Sequence, residues 1–243
     1  MNKIIIKDVH KSFESGLRVL NGISLNIKVG ESRIILGQSG CGKSVLLKCL
    51  LGIMKIPSGD IRVDDISVKD KSRHNEYLRK FSILFQGNAL FDSMTILENV
   101  IFSANQINKN KSACRRVAEE KLLAVGLESR VFDLYPAEIS GGMQKRAALA
   151  RAIAIEPEIL LFDEPTSGLD PITSRKICHL LKDTIKSLGV TAITITHDLK
   201  AAEFLGDSVS VLNNGSVVWT GLARQMSVCK NEFVKNFYDA SCA

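Results

Sequence analysis

Two stretches of this chain could each hold a phosphate. In Gly37-Gln-Ser-Gly-Cys-Gly-Lys-Ser44 the glycines let backbone N–H groups converge on an anion, Lys43 adds a point charge for the β and γ phosphates, and Ser44 offers a hydroxyl to Mg²⁺. The pattern is complete over its eight positions, so Gly37, Gln38, Ser39, Gly40, Cys41, Gly42, Lys43 and Ser44 are the candidate ATP-binding residues. The second stretch, EISGGMQKRAALARA at 138–152, puts Ser140, Gly141 and Gly142 ahead of a basic, alanine-rich helix. The free N–H groups and positive end of such a helix also suit an anion. One nucleotide does not need both cradles.

Further chemistry sits at strand ends. Ile159-Leu-Leu-Phe-Asp-Glu164 is an apolar run closed by two carboxylates. Adjacent acids at such a place are unfavourable without a cation or a proton to hold. Asp163 is therefore expected to serve Mg²⁺, and Glu164 to take a proton from the attacking water. His197 ends TITITHD, a strand expected beside the one carrying Glu164, so its ring can reach the γ-phosphate. Gln86 ends FSILFQ, where an amide can touch metal or water.

These residues need a particular scaffold. A strand over 33–36, the glycine loop and a helix over 43–53 give the order a phosphate loop requires. Strands are expected at 81–85, 159–162, 191–195 and 208–212, and helices at 173–188 and 199–205 alternate with the later ones, which argues for βαβ units and a parallel sheet covered on both faces. The β-branched runs at 4–6, 23–27 and 61–63, set between Gly22, Gly30 and Gly59, read as a small antiparallel sheet. From about Gly87 to Pro157 the strands stop, and helices at 96–103, 112–125 and 142–155 form an insertion. The expected fold class is α/β with a RecA-like parallel core, in one domain: 1–86 and 157–243 make the nucleotide-binding core with its β subdomain, and 87–156 make the helical subdomain. After Gly221 only weak helical patterning around 231–238 is visible.

The totals are consistent with that organisation. A length of 243 residues allows one well-buried core and a subdomain, and 45% hydrophobic with 24% charged residues excludes a disordered chain. Lys48 interrupts the most apolar helical stretch, so no run of about 20 residues is suited to crossing a bilayer. MNKIIIKDVHKSF has no secretory pattern, and a cytosolic chain is expected. The six cysteines lack metal or redox spacing and are expected as reduced thiols. A net charge of +6 suits an anionic partner without choosing among nucleotide, nucleic acid and acidic lipid.

Taken in order, the motifs resemble those of the ATP-binding subunits of ABC transporters. The P-loop, Gln86, ISGGM, LLFDE, SGLD with Asp170, and His197 follow one another as in that family, and the likeness covers nearly the whole chain. The resemblance implies the ABC ATPase fold and adds Phe13, as an aromatic stacking on adenine, and Val19 to the ATP-binding set. It implies Glu164 as the catalytic base with His197 and Gln86 beside it, and Ser44, Gln86 and Asp163 around Mg²⁺. It also implies a head-to-tail dimer in which Ser140, Gly141, Gly142 and Asp170 of one subunit close over ATP on the other. A separate integral membrane permease would be the partner, and the chain would lie at the cytoplasmic face of the inner membrane.

A narrower resemblance, to Mla-type ATPases that move phospholipids, rests on FSILFQGNALFDSMTILENV, Met143 and DPIT at 170–173. It implies an Mce-type lipid-binding protein and a small regulatory subunit as further partners, whereas Thr166-Ser167-Gly168-Leu169 follows the commoner ABC form. An amino-acid or other small-solute importer is the alternative, and a regulator of a membrane complex is another. Action on ribosomes or DNA is disfavoured by the single cassette without a long coiled coil, and no nucleic-acid partner is expected.

Overall fold

Alternate residues of the central strands bury themselves on opposite faces. Ile34, Leu36, Leu160, Phe162 and Ala192 join one apolar cluster, while Ile35, Ile159, Leu161, Ile193 and Ile195 join the other. A strand buried at every position, such as Ser32–Leu36, therefore needs cover on both sides. Helices supply it on one face; on the other, two helices and a second sheet do.

The structure, a computed structural model, describes residues 1–108 and 110–242, with the side chains of 241 and 242 outside the described set. The strands are β1 (Asn2–Ser12), β2 (Arg18–Lys28), β3 (Ser32–Leu36), β4 (Ser58–Val63), β5 (Ile66–Ser67), β6 (Phe81–Leu84), β7 (Ile159–Asp163), β8 (Thr191–Thr196), β9 (Ser208–Asn213) and β10 (Ser216–Gly221). The helices are α1 (Lys43–Leu50), α2 (His74–Arg79), α3 (Ile96–Ala104), α4 (Lys111–Ala124), α5 (Gly141–Ile153), α6 (Pro171–Leu188), α7 (Leu199–Leu205) and α8 (Glu232–Cys242). The central sheet runs β10-β9-β3-β8-β7-β6, parallel except for the edge strand β10. The second sheet, β2-β1-β4-β5, is antiparallel. The α/β core and antiparallel β layer are as expected.

Three details differ from the expectation. The helix after the P-loop ends at Leu50 rather than running to 53, because Gly52 turns to φ +68° and the Leu51 and Gly52 N–H groups close the last turn. Helix α5 ends at Ile153 rather than 155, ahead of Glu156 at φ +50° and Pro157. The strand β10 and the short helix α2 had no clear pattern; β10 is half-exposed at an edge, so little burial marks it.

Two devices position the site. Lys3 and Lys80 are both ion-paired to Asp64 and Glu158, which ties the antiparallel sheet to the ends of β6 and β7. Fully buried Asn99 on α3 donates to the carbonyls of Phe91, Met94 and Thr95 and accepts from the Phe91 N–H at 2.8 Å. The loop that follows Gln86 is thereby fastened to the helices. The described cysteines carry free thiols, and the Cys242 side chain lies outside the described residues.

Candidate functional site

The loop between β3 and α1 takes its shape from Gly42. Its φ of +109° is open to glycine, and a Cβ there would lie 2.8 Å from the Val19 carbonyl oxygen. A side chain at that position would push the loop off β2. Lys43 then begins α1 with 6% exposure; its Nζ donates to the Gly37 carbonyl at 2.7 Å and the Gln38 carbonyl at 2.9 Å, and stands 4.0 Å from Glu164 Oε1. The ammonium is held inside the loop by two acceptors that it can exchange for phosphate oxygens.

The two acids occupy different environments. Asp163, at the tip of β7, has a buried Oδ1 with no hydrogen-bond partner, and burial followed by the neighbouring Glu164 pushes its carboxyl above the usual range. Glu164 adopts φ +47°, left-handed backbone that a non-glycine residue enters at a cost. It is held there by its N–H donating to the Ile195 carbonyl at 2.9 Å and its carbonyl accepting from Ser167 at 3.1 Å. This turn aims the carboxylate at His197, whose Nδ1 is 3.0 Å from Oε2. Strands β7 and β8 are adjacent, and that adjacency brings the two residues together.

Val19, Ser39, Gly40, Gly42, Lys43, Ser44, Gln86, Glu164 and His197 line one cleft of about 300 Å³. Gly37, Gln38 and Cys41 belong to the same loop, the first two as the carbonyl partners of Lys43. Phe13 stands in the turn between β1 and β2, 40% exposed and outside that lining. Gln86 Nε2 donates to Ser167 Oγ at 3.1 Å, so the ends of β6 and β7 are linked across the cleft.

Ser140 and Gly142 line a different cleft, of about 290 Å³, with Arg130, Arg146 and Lys176 on its wall. Ser140 is the N-cap of α5 and accepts from the Met143 N–H at 3.3 Å; a hydroxyl that accepts still has its proton to donate. A Cβ on Gly142 would meet Thr173 Cγ2 at 2.8 Å. Asp170 caps α6, accepting from the Ile172 and Thr173 N–H groups at 3.0 Å each, and hydrogen bonds from Thr173 hold its carboxyl below the usual range. The two clefts share no lining residue.

Sequence reasoning missed Lys145 and Arg151. Both lie on α5 and both reach the loop after β6: Lys145 Nζ donates to the Gln86 carbonyl at 2.6 Å, and Arg151 Nη1 to the Ala89 carbonyl at 2.6 Å. The signal was present. Lys145 shares a helical face with buried Ala148, Leu149 and Ala152, a charge inside an apolar stripe.

The residues fit both groups that the motifs imply. An orphaned buried carboxylate oxygen at Asp163 is an acceptor that a divalent cation satisfies, and hard oxygen donors at Asp163 and Ser44 suit Mg²⁺. The glycine loop, Lys43 and the start of α1 suit a polyphosphate. A P-loop on β3 with an Asp-Glu pair on β7 of the same parallel sheet defines an ATP-hydrolysing P-loop protein. The ABC transporter profile matches residues 20–167, and the chain belongs to that family. It is 38% identical over 220 residues to the glutamine transport ATP-binding protein GlnQ of Escherichia coli, covering 90% of both chains. To the probable ribonucleotide transport ATP-binding protein mkl of Mycobacterium leprae it is 36% identical over 239 residues, 96% of this chain and 68% of that one. Its structure superposes with a TM-score of 0.81 on the dimeric post-hydrolysis ATP-binding cassette MJ0796 bound to ADP and Pi, at 34% identity over 91% of this chain and 99% of that one. The protein is an ATP-binding, ATP-hydrolysing subunit of an ABC transporter and works with Mg²⁺.

Proposed function

We propose that two copies of this chain associate head to tail, each ATP lying between the P-loop of one subunit and the Ser140–Gly142 helix start of the other, and that the dimer energises a separate membrane permease. The observation that carries this reading is the presence of two anion-suited clefts with no common lining residue in one chain. MJ0796 is itself dimeric with ADP and Pi bound. Among the described residues no helix is long and apolar enough to cross a membrane, which suits a subunit bound peripherally to a permease at the cytoplasmic face.

Within each site, Lys43 and the loop N–H groups hold the β and γ phosphates. Ser44, Asp163 and Gln86 would hold Mg²⁺, which when bound would supply positive charge to offset that developing on the phosphate oxygens. Glu164 takes the proton from the attacking water, and His197 orients the carboxylate from 3.0 Å away. Ser140, Gly141 and Gly142 donate to the nucleotide on the partner's P-loop, while Phe13 and Val19 face the adenine of the nucleotide on their own chain's P-loop.

A mixing experiment tests the arrangement. Lys43→Ala and Ser140→Arg variants are each expected to be inactive alone, yet a mixture contains dimers with one complete site. Restored ATP-dependent dimerisation and phosphate release supports the head-to-tail dimer; a mixture as inactive as its components overturns it.

For cargo, the stretch 81–100, Met143 and 170–173 support phospholipid transport, with an Mce-type protein and a small regulatory subunit as further partners. The amino-acid reading is favoured by the likeness to GlnQ. Purifying the chain with its permease from membranes separates them: an Mce-type protein in the complex supports lipid, and an amino-acid permease without one supports the importer.

A further inference from the structure

Lys145 is 3% exposed, and among the described residues it forms no ion pair. Its ammonium donates to the Gln86 carbonyl at 2.6 Å, and burial pulls its proton affinity down while the charge of Asp163 acts in the other direction. Asp163 in turn feels Lys145 among the cations that oppose its own upward shift. A buried cation facing a single carbonyl is an expensive way to hold a loop; a methionine of similar length would pack in the same space at lower desolvation cost. The charge is thus badly placed for stability and well placed for the site.

The surrounding contacts show what it positions. Gln86 has its backbone carbonyl held by Lys145 and its side-chain amide turned to Ser167 Oγ, three residues beyond Glu164 in the turn after β7. Two and three residues after Gln86, the carbonyls of Asn88 and Ala89, which both have positive φ, are gripped by Arg151. Both cations project from α5, the helix that Ser140 caps.

We infer that Lys145 is a positioning residue for ATP hydrolysis: its charged tie to the Gln86 carbonyl sets where the Gln86 amide stands relative to Asp163 and Glu164. The inference rests on the proposed role of Gln86 at the metal. It assigns to the third residue after Gly142 a duty that the motif reading left blank.

The test compares Lys145→Met and Lys145→Arg with the native chain. Removing the charge is expected to leave the melting temperature unchanged or raised, because desolvation is relieved. It is expected to lower kcat by roughly 10- to 100-fold, the cost of an ångström-scale misplacement, with KM for ATP within about threefold. Lys145→Arg, which keeps the charge and the donor, is expected to recover most of the rate. Hydrogen exchange of residues 85–90 in the nucleotide-free protein is expected to quicken in Lys145→Met only. That last readout involves no turnover, so it stands apart from whether Glu164 is the base or Gln86 meets the metal. A kcat within twofold of native, unchanged exchange at 85–90, an arginine variant as slow as the methionine variant, or a methionine variant that is destabilised or fails to fold would each overturn the inference.

Discussion

Replacing Glu164 by glutamine removes one charge and little else. The side chains are nearly isosteric, and the strained φ of +47° is fixed by backbone bonds to Ile195 and Ser167 that an amide does not disturb. The lost groups are the acceptor 3.0 Å from His197 Nδ1 and the anion 4.0 Å from Lys43 Nζ. If Glu164 takes the proton, its removal costs about 10² to 10⁴ in rate, the range typical of general base catalysis. The middle of that range, about a thousandfold, corresponds to ~4 kcal/mol of transition-state free energy. Binding should move the other way. Glu164 raises the Asp163 carboxyl by repulsion, second only to burial, and it also repels a γ-phosphate; both repulsions vanish in the amide. ATP affinity is therefore expected to be equal or higher, and ATP-bound dimers to accumulate. Steady-state phosphate release, with ATP binding by calorimetry and dimerisation by light scattering, checks the separation of the two effects. Turnover within tenfold of native refutes the assignment of the base. Loss of ATP binding refutes the argument from charge.

Two further outcomes follow from other charges. Asp163→Asn removes the ionisable group from a buried oxygen that has no partner, so the nucleotide-free protein should melt at an equal or higher temperature while Mg²⁺ no longer promotes ATP hydrolysis; thermal melts and an Mg²⁺ titration of activity check both. Asp64 is the pH-sensitive tie: burial raises its carboxyl, but hydrogen bonds and charges from Lys3 and Lys80 together outweigh this and leave it below the usual range. A depressed carboxyl stabilises the fold above its unfolded value, about 3.9, and loses that contribution as pH falls through the folded value. Asp64→Asn, which tolerates the φ of +53° there, should lower the melting temperature at pH 7, and the difference from the native chain should begin to shrink only as pH falls below about 4 and vanish once pH is below the folded value. An equal difference at pH 7 and below the folded value would show that the carboxylate charge is not the cause.

Much of the phosphate chemistry is local in the chain. Gly37 to Ser44 carry it because a glycine loop followed by a helix start presents N–H groups whatever else surrounds it, and Ser140 caps its helix by the same short-range logic. The fold class was legible for a related reason: short strands alternating with helices argue for βαβ units and a parallel sheet covered on both faces. Strand β10 escaped notice because an edge strand needs little burial, and α2 because six residues hold too little periodicity.

Order across the sheet was a different matter. That β8 lies between β3 and β7 decides that His197 reaches Glu164, 33 positions away, and that Glu164 faces Lys43, 121 positions away, since groups so distant in the chain meet only through strand pairing. The duties of Lys145 and Arg151 also belong to the tertiary structure. A basic helix reads as solvated until packing buries one face, and only then do its charges find carbonyls some 60 residues away. Sequence determined which groups could bind phosphate, because those groups are built from neighbours in the chain. Tertiary structure decided which distant side chains would orient them, because that depends on how the strands and helices pack.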